Sequence, residues 1–378
     1  MALICSAALL ASLMAFLLWE RRARDAALAD VPNRVHVNGT RGKSTVTRLI
    51  AGALREAGIP TLAKTTGTAP RLILPDGSER AIRRRAPASI REQLWLLREA
   101  RRAQARAVVV ECMAIDPDLQ QVSEAQMIRS TLGVITNARL DHGEVMGATE
   151  DEVADALGAT VPRGGVIVIG PTASAEVIAR IAAARGSRLV RAAAADAGPG
   201  APEPWMADNV GIALAAAREL GVAEDVARRG FAAAAPDPGA LRAGTIVVDG
   251  RRVPYVDASA ANDPQSLALV LGERGGAALF VFHHRADRPA RLAQFHVAPP
   301  WSRDDDTVVV TGDRPDWTTW RRLRARMPGD CMAFRPRRAV AAELRRRLAG
   351  PVPPSLVVFC GNTKGAGVDA LVAAVGQA

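Results

Sequence analysis

Hydrophobic positions follow three patterns along this chain. The first is an uncharged apolar run, Ala2–Trp19, closed at once by Glu20, Arg21, Arg22 and Arg24. Eighteen residues at about 1.5 Å each reach about 27 Å as a helix, enough to cross a thin hydrocarbon core. A cleavable signal peptide carries its positive charge before the apolar run, whereas here the charge follows it. The positive-inside rule then places everything beyond Arg21 in the cytoplasm, giving a single-pass anchor in the cell (inner) membrane. After a linker at 30–33 the second pattern begins, in which short β-branched runs alternate with stretches of helical period. Strands are predicted at 35–38, 107–111, 132–136 and 166–169, and helices at 44–57, 89–106 and 149–160. The last helix opens with Thr149-x-x-Glu152, a capping box. Such alternation means βαβ units and a parallel sheet covered on both faces. Residues 193–238 are rich in Ala, Pro and Gly, with helical pieces at 208–220 and 223–234. The third pattern is a second strand–helix series, with strands at 245–249, 253–256, 277–282, 307–311 and 356–360. The expected organisation is an anchor at 1–20, an α/β body at 33–240 and a smaller α/β domain at 241–378.

Composition narrows the class. With 49% hydrophobic and 23% charged residues over 378 positions, the chain is a folded protein. Cys5, Cys112, Cys331 and Cys360 are scattered without a CxxC, which argues against a disulfide scaffold and a structural zinc site. A net charge of +10 favours an acidic partner. Nucleic acid fits poorly, because one Tyr and seven Phe offer no aromatic-interleaved basic stretch. An anionic membrane surface or an acidic polymer remains. Of the 49 basic residues only Lys43, Lys64 and Lys364 are lysines, and all three sit in Gly/Thr-containing stretches.

The first of these carries the chemistry. Val35–Asn38 leads into Gly39-Thr40-Arg41-Gly42-Lys43-Ser44-Thr45 and then an amphipathic helix. Backbone N–H groups at such a helix start cradle phosphate oxygens, Lys43 reaches the terminal phosphates, and the Ser44 hydroxyl is placed for Mg²⁺. The ordinary Walker pattern wants glycine at position 37, where this chain has Val37. Glu111 ends a buried strand and His142 follows another, on the same edge of a parallel sheet as the loop, so both can converge on the γ-phosphate and its metals.

These residues resemble the Mur ligase superfamily of ATP-dependent amide ligases. The short Gly-Thr-Arg-Gly-Lys-Ser loop, Glu111, and Thr136-Asn137…Asp141-His142 match its nucleotide and metal motifs in order, and 256–264 resembles the opening of its C-terminal domain. More narrowly, Lys64-Thr65-Thr66-Gly67-Thr68-Ala69-Pro70-Arg71 and Arg285-Ala286-Asp287-Arg288-Pro289 are similar to the ligase subunits of poly-γ-glutamate synthases (the PgsB/CapB type), which also carry an N-terminal anchor. The resemblance implies a P-loop Mur-ligase-like ATPase domain followed by a smaller Rossmann-like domain. It implies ATP and Mg²⁺ at Lys43, Ser44, Glu111 and His142, and nucleotide contacts from Asn209 and Asp257. The superfamily usually carries a carbamylated lysine after the Asp-His motif. This chain has none there, and Glu144 or Glu150 is the expected substitute.

The implied reaction transfers the γ-phosphoryl of ATP to a carboxylate, forming an acyl phosphate that an amine then attacks. Lys64, Thr65, Thr66 and Thr68 suit the acyl phosphate and neighbouring carboxylates, while Arg285, Arg288 and Arg291 suit bidentate capture of glutamate carboxylates. The implied partners are glutamate, an acidic polyglutamate chain and other membrane subunits of a synthesis and export complex; homo-oligomerisation is left open. Two alternatives stand beside this reading: a soluble folate-type polyglutamylating ligase, and a non-ligase P-loop NTPase.

Overall fold

The computed structural model describes residues 2–67, 70–84, 87–140, 142–171, 174–196, 206–237, 239–259, 261, 263–272, 274–287, 289–301, 303–325, 332–362 and 367–377. Helix α1 (Ala2–Asp30) contains the apolar run and continues past it. It is the one described helix long and apolar enough to cross a membrane. Its first two-thirds lie open, with Leu9 and Trp19 at 75% and 64% exposure, whereas Ala27 and Leu28 are buried against Leu97. The apolar run read as an anchor at 1–20 lies in one continuous helix that reaches the body, since no Gly or Pro interrupts 20–30.

The chain divides into two compact units, the first including α1 and ending at Asp237, the second made mainly of the residues beyond it. In the first, β1 (Asn33–Asn38) is central, flanked in parallel by β5 (Ala107–Glu111) and β6 (Leu132–Ile135). Beyond them lie β2 (Thr61–Thr65) on one side and β7 (Val166–Ile169) with β8 (Arg188–Arg191) on the other. The sheet is not wholly parallel: β3 (Arg71–Ile73) and β4 (Glu79–Ala81) extend the β2 edge antiparallel. Nearly continuous apolar runs such as Val108-Val109-Val110 are buried on both faces, as an α/β sheet requires. Helix α2 (Lys43–Glu56) covers one face through Val46, Ile50 and Leu54, packing with α8 (Met206–Glu219) and α9 (Glu224–Ala233). A Cβ on Gly52 would lie 2.4 Å from the Gly230 carbonyl oxygen, so glycine at both positions lets the α2 and α9 backbones approach. On the other face lie α3 (Glu92–Arg102), α4 (Pro117–Val122), a π-helical turn (Ser123–Ile128), α5 (Gly143–Met146), α6 (Glu150–Leu157) and α7 (Ala175–Ala184). Helix α6 carries the reciprocal Thr149–Glu152 capping box read from the sequence.

In the second unit, β10 (Arg251–Asp257), β11 (Ala278–His284), β12 (Thr307–Gly312), β13 (Met332–Phe334) and β14 (Leu356–Cys360) form a parallel sheet in the order β13-β12-β11-β14-β10. Strand β9 (Arg242–Val248) closes its edge antiparallel. Helices α10 (Pro264–Leu271), α11 (Pro289–Val297), α12 (Trp317–Arg324), α13 (Arg337–Leu348) and α14 (Val368–Gln377) connect or follow the strands.

Candidate active site

The glycine loop joins β1 to α2 at the carboxyl edge of the first sheet. Gly42 caps α2 with φ +81°, a left-handed conformation that glycine adopts without strain. Gly39 has φ +128°, and a Cβ there would stand 2.0 Å from Thr136 Oγ1. The segment after β6 buckles this loop into place. Thr40 Oγ1 donates to Asn137 Oδ1 at 2.6 Å, the Arg41 amide donates to the same oxygen at 3.2 Å, and Asn137 Nδ2 returns a bond to the Arg41 carbonyl at 3.1 Å. Thr136 Oγ1 adds a 2.5 Å bond to that carbonyl. This holding role of Thr136 and Asn137 was not assigned from the sequence, where the pair was legible only as a motif.

Lys43 folds back over the loop, its ammonium 2.6 Å from the Gly39 carbonyl oxygen. Ser44 Oγ donates to Glu111 Oε2 at 2.8 Å, and the Thr66 amide donates to the same oxygen at 2.7 Å. Three segments therefore meet at one buried carboxylate: the start of α2, the end of β5 and the loop after β2. Asn209 enters from α8, 2% exposed, close enough that a Cβ on Gly42 would lie 2.4 Å from its Oδ1. Its Nδ2 is buried without a hydrogen-bond partner. A buried amide N–H₂ left unpaired is costly, and a ligand acceptor entering beside Gly42 would satisfy it.

His142 is placed differently. It opens α5 in the left-handed region (φ 49°), and its Nδ1 lies 3.4 Å from Glu144 Oε1. Asp141 and Thr68 lie outside the described residues. Among the described residues no three His, Cys, Asp or Glu side chains gather as a metal site. The hard oxygens of Ser44 and Glu111 nevertheless fit Mg²⁺, which keeps several waters and is held by one or two protein oxygens plus substrate phosphates.

Lys64 was expected to offer its cation to substrate; here that cation is engaged within the protein. Its side chain is fully buried, with Nζ 3.0 Å from Glu92 Oε2. Burial lowers its pKa, while Glu92 and, more weakly, Glu111 favour the charged form. Arg84 braces Glu92 through bonds of 2.7 and 3.1 Å. Lys64 thus holds the floor of the Thr65-Thr66 loop. Thr65 Oγ1 is buried without a partner.

In the second unit the expected ligand contacts are internally engaged. Asp257 Oδ2 accepts from Arg242 Nη2 at 3.0 Å and its Oδ1 from Ser259 Oγ at 2.6 Å, fixing β9 to β10 and the turn beyond. Arg285 pairs with Asp287 at 2.5 Å. Arg291 bonds the Gly361 carbonyl and Asn362 Oδ1, and so braces the end of β14. Arg288 lies outside the described residues, as does the whole 363–366 stretch that includes Lys364.

Against known proteins, residues 37–197 match the Mur ligase middle domain and residues 244–377 match the poly-gamma-glutamate synthase CapB C-terminal domain. The chain is 36% identical over 291 residues to the PGA synthase CapB of Bacillus subtilis, covering 73% of each protein. This chain belongs to the CapB family. It is also 37% identical over 293 residues to the capsule biosynthesis protein CapB of Bacillus anthracis, a match that takes in 74% of this chain and 62% of that protein's length. Its fold is that of Mur ligases and folylpolyglutamate synthases. An ADP complex of the Mycobacterium tuberculosis folylpolyglutamate synthase superposes with TM-score 0.64 at 18% identity, covering 94% of both chains. MurF from Acinetobacter baumannii superposes with TM-score 0.67 at 15% identity, covering 95% of this chain and 79% of that one.

Proposed function

We propose that this CapB-family chain is an ATP-dependent amide ligase that activates the terminal carboxylate of a poly-γ-glutamate chain and joins glutamate to it. The observation that carries the reading is the meeting of Ser44, Glu111 and the Thr66 amide beside a phosphate loop whose Asn209 amide lacks an acceptor. The N–H groups opening α2, with the helix dipole behind them, bind the phosphates. The Lys43 ammonium exchanges the Gly39 carbonyl for the terminal phosphate and neutralises the charge that builds during transfer. Asn209 takes the nucleotide base. The carboxylate oxygen attacks the γ-phosphorus as the bond to ADP breaks; the glutamate amine then attacks the acyl carbon, and phosphate leaves with the bonding pair. Ser44 and Glu111 would hold Mg²⁺, which supplies charge neutralisation at the phosphates. His142 is assigned to the same metal-binding work. Asp257, Arg285 and Arg288 are assigned to nucleotide and glutamate contacts, and those of Asp257 and Arg285 require release from their present partners.

The positive charge of the chain suits a polyanionic product. The proposed partners are further membrane subunits of a synthesis and export complex. The proposed location is the inner membrane, with α1 as a single span and the body on the cytoplasmic side. Protease added outside spheroplasts then leaves residues beyond Arg21 intact; digestion from outside would reverse the topology. The activity itself is tested by ATP hydrolysis that depends on glutamate and is lost in Lys43→Ala with the fold retained.

A further inference from the structure

The amino edge of the first sheet, opposite the phosphate loop, holds a cleft of about 530 Å³. It is lined by the starts of β1, β6 and β7, and four of its residues are Arg34, Arg129, Arg163 and Arg185. Its acidic residue, Glu124, is turned inward: Oε2 is 2.8 Å from His36 Nδ1, and Oε1 accepts from the Ser130 amide and hydroxyl, each at 2.8 Å. Arg34 and Arg185 are anchored by carbonyls, not carboxylates. Arg34 Nη1 bonds the Val31 carbonyl at 2.8 Å, and Arg185 Nη1 bonds the Val161 carbonyl at 2.6 Å. Among the described residues neither forms an ion pair. The guanidinium pKa of each is depressed, first by burial; the Glu124 charge opposes this in both, and a neighbouring cation, Arg129 for Arg34 and Arg163 for Arg185, adds to it. Glu124 is the one carboxylate whose charge reaches both guanidiniums, and its oxygens are taken by His36 and Ser130. Fixed, partly desolvated guanidiniums with no carboxylate in direct contact are an arrangement that binds phosphate.

The cleft adjoins α1. Arg34 Nη1 also reaches the Leu28 carbonyl at 3.2 Å, and Arg129 on the rim pairs with Asp25 at 3.1 Å. Asp25 is six residues beyond Trp19, the last residue of the apolar run, or about 9 Å along the helix. That distance is comparable with the polar layer of a bilayer and with the reach of its surface potential. Arg21, Arg22 and Arg24 lie in the same interval.

We propose that this arginine-lined cleft binds the phosphate of an anionic phospholipid headgroup from the membrane that α1 enters. The amino edge of the first sheet thereby faces the bilayer, and the phosphate loop opens away from it. This rests on reading α1 as a membrane span.

The test uses the full chain in detergent, titrated calorimetrically with dihexanoyl phosphatidylglycerol, dihexanoyl phosphatidylcholine, inorganic phosphate and poly-γ-glutamate. Phosphatidylglycerol should bind at least tenfold more tightly than phosphatidylcholine. Arg129→Gln with Arg163→Gln, two exposed positions, should weaken it at least fivefold, whereas the exposed pair Arg321→Gln with Arg322→Gln should leave it unchanged. Equal affinity for the two lipids, or no response to the Arg129/Arg163 pair, would overturn the proposal. So would phosphate or poly-γ-glutamate binding at the same variant-sensitive site as tightly as phosphatidylglycerol, which would assign the cleft to a soluble anion. Carbonate extraction of membranes is the separate check on α1. Release of the chain would remove the premise, and retention combined with the lipid preference supports the whole reading.

Discussion

Ser44 Oγ and the Thr66 amide nitrogen both donate to one oxygen of Glu111, at 2.8 and 2.7 Å. That carboxylate is 2% exposed, so its charge is held by these donors in a dry pocket where the developing charge of phosphoryl transfer is felt strongly. Replacing Glu111 with Gln keeps the shape and one acceptor but removes the charge. Retention of the fold is monitored by circular dichroism, and the expected result is an unchanged spectrum with turnover reduced roughly 100-fold or more. A variant with near-normal turnover would place the catalytic charge elsewhere.

Gly42→Ala should abolish nucleotide binding while the fold persists. Its φ of +81° costs an L-residue roughly 1–2 kcal/mol, and its Cβ would lie 2.4 Å from Asn209 Oδ1. Titration with a fluorescent ATP analogue checks this; a dissociation constant within threefold of the parent would contradict the close packing of Asn209 on the loop.

His36 and Glu124 form a buried pair beneath the loop strand, 2.8 Å apart. Burial by itself would depress the imidazole pKa, but the Cys112 and Glu124 side chains outweigh it and raise the value to about 10. A folded-state pKa above the unfolded value near 6.5 means that the stabilisation is complete below about pH 6.5 and fades as pH rises towards 10. Breaking such a pair costs roughly 3–5 kcal/mol. The melting temperature of His36→Gln should therefore fall well below that of the parent at pH 6.5, and the gap should shrink towards pH 10. A gap independent of pH would contradict the charged pair.

Much of this was legible in the sequence where local pattern and burial agree. Val108-Val109-Val110-Glu111 reads as a buried strand ending in a carboxylate, and it is one. The Gly39–Ser44 loop reads as a phosphate cradle, and its glycines have the positive φ such a turn requires. Strand β2 was missed because Thr61-Leu62-Ala63-Lys64-Thr65 looks polar, although every residue in it is buried. Only tertiary pairing of Lys64 with Glu92, 28 positions away, makes that burial affordable. Strands β3, β4 and β13 are three residues each, too short for a period to register. Nor could sequence reveal that Asp257 and Arg285 spend their charges on Arg242 and Asp287.

The lysine census gives a prediction of its own. No lysine lies between Lys64 and Lys364, so no carbamate can form after the Asp141-His142 motif. Activity should be indifferent to added bicarbonate and to rigorous removal of CO₂. Glu144→Gln or Glu150→Gln should instead raise the Mg²⁺ concentration required for half-maximal rate. A bicarbonate requirement, or unchanged Mg²⁺ dependence in both variants, would show that the second metal is held another way.

The most direct test of the central claim follows ADP release and labelled-glutamate incorporation together, in the purified full chain supplied with ATP, Mg²⁺, glutamate and a poly-γ-glutamate acceptor, with and without the proposed membrane partner subunits. The account predicts that glutamate stimulates ADP release, that one ADP appears for each glutamate joined, and that Lys43→Ala loses both. ATP hydrolysis indifferent to glutamate, with no label entering polymer under either condition, would contradict it.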